Sequence, residues 1–114
     1  MTAFILHDLV RQGRGNVPDQ DCLLASIGCS SLLLINIVPG DYAFETHAHS
    51  EYLFCMDGEL ALEDESGRTA CVSRGGMIEI PPGLRHRFSA QANAVIVTVA
   101  QQAANLPDTQ PLQS

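Results

Sequence analysis

The sequence predicts an all-β fold, a sandwich or barrel of short strands, on two observations. Turn signals built from Gly, Pro and Asp recur about every eight residues between residues 57 and 83, and a further signal lies at residues 39–41. The runs between these turns either alternate polar with apolar residues or are wholly apolar. Short strands separated in this way are typical of β-sandwiches and barrels. A chain of 114 residues has room for one domain.

The individual elements follow from these turns and runs. The turn signals lie at residues 39–41, 57–58, 65–67, 74–76 and 81–83. Only a short piece near Val99–Leu106 has the apolar period of a helix. The predicted strands, in chain order, are Phe4–Val10, Cys22–Ile27, Ser31–Val38, Ala43–His49, Tyr52–Met56, Glu59–Glu63, Arg68–Ser73, Met77–Ile80, His86–Ala90 and Ala94–Ala100.

The ends of the chain bound the predicted domain. We expect a barrel domain over residues 1–102, followed at 103–114 by a polar tail with two prolines that is either flexible or lies across a neighbouring surface. The N-terminus has no positively charged start, so it does not resemble a signal peptide. No apolar run approaches the roughly 18 residues of a membrane span. We therefore expect a cytoplasmic protein.

Composition narrows the function classes. The formal net charge is −7, and all six basic residues are arginine. Such a chain lacks the basic surface that nucleic acids and anionic membranes require, so we expect neither as a partner. The four cysteines form no Cys-x-x-Cys pair, which favours reduced, buried thiols over a disulfide or a cysteine metal site.

Three of the four histidines lie in two short segments. His47 and His49 are two residues apart, so on a strand they would point to the same face, about 6.5–7 Å apart. Neutral imidazole is a good ligand for Zn, Cu, Fe and Ni. His86 follows a Pro-Pro-Gly turn and is placed as a third ligand would be. These residues predict a metal site.

The two segments resemble the two sequence motifs of the cupin superfamily. The second motif is Gly, five residues, Pro-x-Gly, two residues and His, and it matches from Gly75 through Pro81 and Gly83 to His86. The Asn that closes this motif is absent, and Ala90 stands in its place. The resemblance extends over about residues 32–99.

The first motif matches with two departures. It reads Gly, five residues, His-x-His, three or four residues, Glu, six residues and Gly in the superfamily. Here six residues separate Gly40 from His47, and a single residue separates His49 from Glu51. The spacing from Glu51 to Gly58 is that of the superfamily.

The resemblance implies a double-stranded β-helix, the jelly-roll barrel of cupins, with a small cavity at its mouth. It also implies that His47, His49, Glu51 and His86 bind one divalent transition metal ion: Fe, Mn, Ni, Zn or Cu. Three imidazoles and one carboxylate would leave positions open for water, O2 or a chelating substrate.

Because the link before Glu51 is short, the sequence leaves open which carboxylate, if any, binds the metal. A tight turn could still deliver Glu51 inward, or an unbroken strand could place His47, His49 and Glu51 on one face by parity. Alternatively, Leu53 occupies the ligand position and the site has three histidines only. Glu45 shares parity with His47 and is a further candidate for the carboxylate.

These observations support two main functional hypotheses. The first is a mononuclear metalloenzyme of oxygenase, decarboxylase or isomerase type, acting on a small polar substrate that chelates the metal, with Glu51 as fourth ligand or proton shuttle. The second is a non-catalytic module that binds or senses a metal or small molecule. A third reading is a metal-stabilised scaffold with a closed site.

An apolar strand face predicts self-association. Tyr52, Phe54 and Met56 alternate with Glu51, Leu53 and Cys55, so they lie on the opposite face of the strand. Exposed apolar patches often mark subunit interfaces. Small cupins are commonly homodimers, so the resemblance favours a homodimer through this sheet.

Overall fold

The computed structural model describes residues 2–101. One short helix, α1 (Leu9–Gly15), precedes seven antiparallel strands that form one sheet. The central strands follow the order β1-β2-β7-β3-β4, and β5 and β6 also pair with β3. The strands are β1 (Cys22–Ile27), β2 (Ser30–Ile37), β3 (Glu51–Asp64), β4 (Thr69–Ser73), β5 (Met77–Ile80), β6 (His86–Phe88) and β7 (Asn93–Gln101). The predicted all-β class is confirmed.

Strand β7 lies at the centre of the sheet, and both of its faces are buried. Ala94 and Ile96 point into the main core, whose other buried members are Ala92, just before β7, and residues of β2, β3 and β5. Val95 and Val97 point the other way, into a smaller cluster that includes Leu9 of α1. Burial on both faces explains why this segment reads as an almost continuous apolar run.

Strand β3 is a single 14-residue strand where the sequence predicts two strands, Tyr52–Met56 and Glu59–Glu63. The predicted turn at Asp57 and Gly58 is instead a bulge, where the register with β7 shifts between Cys55 and Asp57. Pairing with β7 continues on both sides of this bulge, from Leu53 to Glu59. The chain therefore kinks without reversing, because β7 supports both halves.

The predicted strand Phe4–Val10 is wrong. Residues 2–8 have no regular secondary structure, and α1 begins at Leu9. Asp8 caps the helix, because its carboxylate accepts a hydrogen bond from the backbone N–H of Arg11 at 3.2 Å. The other end of α1 is held to β2 by the Asn36 amide, which donates to the Asn16 carbonyl at 3.0 Å.

The predicted strand Ala43–His49 is also wrong. It contains only an isolated bridge, in which Glu45 pairs with His86. The Glu45 N–H donates to the His86 carbonyl at 2.7 Å, and the His86 N–H donates to the Glu45 carbonyl at 2.9 Å. A bend then occupies Ala48 and His49, directly before β3 begins. Because the chain must turn here to enter β3, the pairing between Glu45 and His86 cannot extend into a longer β-ladder.

Two expectations fall wholly or partly outside the described residues. The helix predicted near Val99–Leu106 is wrong as far as Gln101, because these residues form the end of β7. The rest of that segment lies outside the described residues. The expected tail at 103–114 lies outside them entirely. Among the described residues, no helix has the length and hydrophobicity that crossing a membrane requires.

The bulge at Gly58 supplies a test of the fold. Gly58 has a φ of +78°, and a Cβ there would lie 2.1 Å from the Asn93 carbonyl oxygen. Gly28 has a φ of +59°, but its Cβ would meet nothing within 4 Å. We expect Gly28→Ala to cost about 1–2 kcal/mol of unfolding free energy through φ alone. Gly58→Ala should cost about 1–3 kcal/mol more through the clash.

Urea unfolding of the two variants measures this difference. Equal losses of unfolding free energy in Gly58→Ala and Gly28→Ala would contradict the close packing of β3 against β7 at the bulge.

Candidate metal centre

Glu51 stands at the meeting point of two imidazoles. It is the first residue of β3, and its Oε1 lies 3.3 Å from Nε2 of His47 and 3.5 Å from Nε2 of His86. The chain bends at Ala48 and His49, and after Ser50 alone it delivers Glu51 to the histidines. Leu53, the alternative occupant of this position, lies in the apolar core.

His86 is buried and held in one orientation. Its Nδ1 lies 2.8 Å from the backbone carbonyl of Leu84. A carbonyl oxygen only accepts, so Nδ1 carries the hydrogen, and the lone pair of neutral His86 is at Nε2. That nitrogen faces Glu51. Metal-binding histidines commonly donate their other N–H to a carbonyl or carboxylate in this way.

His47 has a buried nitrogen without a partner. Its Nε2 makes no hydrogen bond among the described residues, although carboxylate oxygens of Glu51 and Glu45 lie 3.3 and 3.6 Å away. The rings of His47 and His86 have their centroids 5.1 Å apart. Buried polar atoms usually have partners, so an orphaned imidazole nitrogen beside two carboxylates is suited to a cation.

Glu45 joins this group from the chain segment before the bend. One ligand atom from each of Glu45, His47 and His86 lies within 4.8 Å of the other two. The Glu45 side chain is 58% exposed, against 12% for His47. The sequence offers Glu45 only through its parity with His47, and the bridge to His86 is what brings it to the site.

His49 is not brought to the group. It is exposed and lies in the bend between the Glu45 bridge and β3. The predicted sharing of one strand face by His47 and His49 is wrong, because no strand forms there. With a single residue left between His49 and Glu51, the turn into β3 has to include His49 itself.

The charges around His86 act on its protonation. Burial lowers the pKa of His86, but the hydrogen bond to Glu51, the Leu84 carbonyl and the charges of Glu51 and Glu45 raise it, and the net pKa is above its ordinary value of 6.5. The same carboxylates that would attract a metal ion thus hold a proton on this imidazole when no metal competes for it.

A cavity of about 170 Å³ adjoins the site, with His86 in its wall. The lining is mixed. Its large apolar side chains are Leu62, Ile78, Ile80 and Leu84, and its charged side chains are Glu63, Asp64, Arg68 and Glu79. Pockets for drug-sized ligands have volumes of roughly 300–1,000 Å³. This cavity therefore fits a small molecule, in contact with one of the two histidines.

The donor set fits a divalent transition metal. Imidazole and carboxylate are the usual ligands of Fe, Mn, Ni and Zn, and two histidines with one carboxylate are a familiar set for iron enzymes. His47, His86 and Glu51 present such a set, with Glu45 beside it. The residues thus fit the group that the two sequence motifs imply.

A family model described as the cupin domain matches residues 33–100. The chain belongs to the cupin family. The match covers both motifs, so this small cupin carries its candidate metal residues where the family model applies. The predicted jelly-roll fold is confirmed by the solved cupin structures that resemble it. A search of curated proteins finds no match to the chain.

Solved structures with this fold include bacterial proteins of similar size. Protein NMB1881 from Neisseria meningitidis has a TM-score of 0.71 and 19% identity, over 86% of this chain and 100% of its own. A cupin-2 domain containing protein from Shewanella frigidimarina has a TM-score of 0.74 and 17% identity, over 86% of this chain and 95% of its own.

A metal-bound enzyme also has this fold. Hydroquinone 1,2-dioxygenase PnpCD, in complex with Cd2+ and 4-hydroxybenzonitrile, has a TM-score of 0.68 and 16% identity, over 90% of this chain and 82% of its own. At these identities the likeness establishes the fold alone.

The raised pKa of His86 gives a prediction for the metal-free protein. Protonated His86 stabilises the fold fully below pH 6.5, and this contribution is lost as the pH rises through the folded pKa. NMR titration of the ring protons after chelator treatment should place the His86 pKa above 6.5. Glu51→Gln should lower that pKa, because it removes the negative charge and replaces a charged hydrogen-bond acceptor with a neutral amide.

The matched control is Glu59→Gln, an exposed glutamate on the same strand. It should leave the titration of His86 unchanged. Equal shifts in the two variants would contradict the direct pairing of His86 with Glu51.

Proposed function

We propose that this cupin binds one divalent transition metal ion, Fe, Mn, Ni, Zn or Cu, through His47, His86 and Glu51. The observation that carries the proposal is the convergence of two imidazole Nε2 atoms on one carboxylate, with the buried Nε2 of His47 left without a hydrogen bond. The fourth protein ligand is either His49, as the superfamily motif implies, or Glu45.

We further propose a mononuclear metalloenzyme of oxygenase, decarboxylase or isomerase type. The metal would act as a Lewis acid or activate O2. The chain's own residues supply the rest. Leu84 orients His86, and the cavity that His86 lines would receive a small substrate that chelates the ion. Glu51, which is 27% exposed, is the proposed catalytic group, as a ligand or as a proton carrier.

Oxygenation is the first reaction to test. Two neighbours in fold are named as an iron protein with substrate, FeII HppE, and as the hydroquinone 1,2-dioxygenase PnpCD with Fe3+. Metal-centred chemistry also suits a site whose two nearest carboxylates, Glu51 and Glu45, both approach a histidine nitrogen and are themselves candidate metal ligands. An oxygen-uptake screen of the Fe2+-loaded protein with small acids, phenols and thiols examines this.

The alternative is a non-catalytic module that binds or senses the metal or a small molecule. The small volume of the cavity favours this second function, since it leaves little room for a substrate to be repositioned. The two functions differ in the oxygen-uptake screen. A sensor binds metal and ligand without turnover, whereas an oxygenase consumes O2 in proportion to substrate.

Metal analysis tests the site itself. After chelation and anaerobic reconstitution with Fe2+ or Mn2+, elemental analysis should find one ion per chain. His47→Ala and His86→Ala should each weaken binding by more than about 100-fold, because each removes a direct ligand. His7→Ala is the matched control, since His7 is exposed and pairs only with Gln12 among the described residues.

Circular dichroism checks that each variant folds. Absence of stoichiometric metal from the reconstituted protein, or full binding by His86→Ala, would refute the proposed centre.

We also propose that the protein acts in the cytoplasm. Cys22, Cys55 and Cys71 form no disulfide, and Cys71 is exposed where the sequence predicts a buried thiol. An exposed reduced thiol is typical of proteins kept in a reducing compartment, where glutathione and thioredoxin prevent disulfide formation.

A homodimer is the proposed assembly. Tyr52 and Phe54 are each more than one-third exposed on the outer face of β3, and Met77, the cross-strand partner of Phe54, extends this apolar face. The segment before α1 separately exposes Phe4 and Leu6, at 96% and 89%. An exposed apolar face such as that of β3 favours burial against a second copy.

Sedimentation equilibrium measures the assembly directly. We expect twice the chain mass of 12.3 kDa for the unaltered protein, and weaker association in Phe54→Ser. Thr69→Ser, an exposed change on β4, is the control. A monomer at all concentrations would contradict the dimer.

A further inference from the structure

We infer that Glu45, and not His49, is the fourth protein ligand, so that this cupin holds its metal with two imidazoles and two carboxylates. The inference rests on the proposed metal site and specifies its composition. It departs from the set of three histidines and one glutamate that the superfamily motif implies.

The backbone fixes Glu45 beside His86. The two residues exchange both of their backbone hydrogen bonds, at 2.7 and 2.9 Å. In an antiparallel pair of this kind, directly opposed side chains lie on the same side of the ladder. The adjacent residue Phe44 takes the other side, where the guanidinium of Arg87 lies 4.2 Å from its ring centroid. Glu45 is thereby directed to the side that carries His86.

The position of His47 follows from the same segment. The His47 carbonyl accepts a hydrogen bond from Gly83 N–H at 2.9 Å, which holds His47 against the turn before β6. Its Nε2 lies 3.6 Å from Oε2 of Glu45. Two separate backbone contacts therefore support the group formed by Glu45, His47 and His86.

The distances suit one ion. Ligand atoms about 2.1 Å from a common metal lie at most about 4.2 Å apart. The corresponding atoms of Glu45, His47 and His86 lie within 4.8 Å of one another. Closing that difference takes well under an ångström of movement per ligand, and the exposed Glu45 side chain is free to move. His49 would have to leave its bend, which also sets the start of β3.

The charges favour the same composition. Glu45 and Glu51 both approach Nε2 of His47, so two carboxylates share one buried nitrogen that makes no hydrogen bond. The two negative charges, each within 3.6 Å of this nitrogen, repel each other. A divalent cation would cancel both negative charges, whereas a neutral imidazole from His49 would add no charge. Oxygen-rich sets of this kind suit Mn2+ and Fe2+ better than Cu2+.

Titration with Mn2+ tests the assignment, with electron paramagnetic resonance reporting the free ion. We expect Glu45→Gln to raise the Kd for Mn2+ at least ten-fold and His49→Ala to change it less than two-fold. Glu45→Asp, which keeps the charge on a shorter side chain, should fall between Glu45→Gln and the unaltered protein. Glu59→Gln on β3 is the matched control for loss of one negative charge.

The outcomes separate this inference from the proposed function. Weakening by His49→Ala to the level of His86→Ala, with Glu45→Gln unchanged, would overturn the Glu45 assignment and leave the metal centre standing. If Glu59→Gln weakens Mn2+ binding as much as Glu45→Gln does, the weakening comes from net charge alone. That result would also overturn the Glu45 assignment. An unaltered protein that binds no Mn2+ would overturn the metal centre and the assignment together.

Discussion

Strand β3 is the constraint on which both the fold and the site depend. It pairs with β4, β5, β6 and β7, so four of the other six strands take their register from it. Its first residue is Glu51, whose carboxylate contacts both histidines of the candidate centre. The bulge beside Gly58 lets the strand bend while β7 follows both halves. The carboxylate is therefore positioned by the strand that organises the barrel.

The entry into β3 determines which residues reach the site. The chain arrives along the Glu45 bridge, turns at Ala48 and His49, and starts β3 at Glu51. A longer link would let the turn follow His49, but here the turn contains it. The loss of two residues relative to the superfamily motif thus has a specific structural result. It moves one histidine to the surface and leaves Glu45, on the near side of the turn, beside the remaining pair.

Most of the fold could be predicted from the sequence, because Gly and Pro turns and period-two runs are local signals. Cys22–Ile27 and Met77–Ile80 have the predicted boundaries. The failures are non-local. Nothing local separates a bulge from a turn at Asp57 and Gly58, since the difference lies in the pairing with β7. At the N-terminus, the Asp8 cap outweighs the apolar residues that suggest a strand.

The site divides in the same way. His47, His86 and Glu51 could be found from motif spacing, because the turn and strand that position them follow from nearby residues. The Leu84 carbonyl that orients His86 could not, since any residue type offers a carbonyl. The exposure of His49 likewise depends on where the three residues between His47 and Glu51 bend. Sequence spacing therefore identifies the candidate ligands, and the three-dimensional path of the chain selects among them.

The proposed metal centre is tested most directly by a crystal structure of the metal-loaded protein, with anomalous diffraction recorded at the absorption edge of that metal. We expect one anomalous peak per chain, roughly 2.0–2.2 Å from Nε2 of His47, Nε2 of His86 and a carboxylate oxygen of Glu51. An anomalous peak at any other place on the chain, or none in crystals grown with the metal in excess, would contradict it.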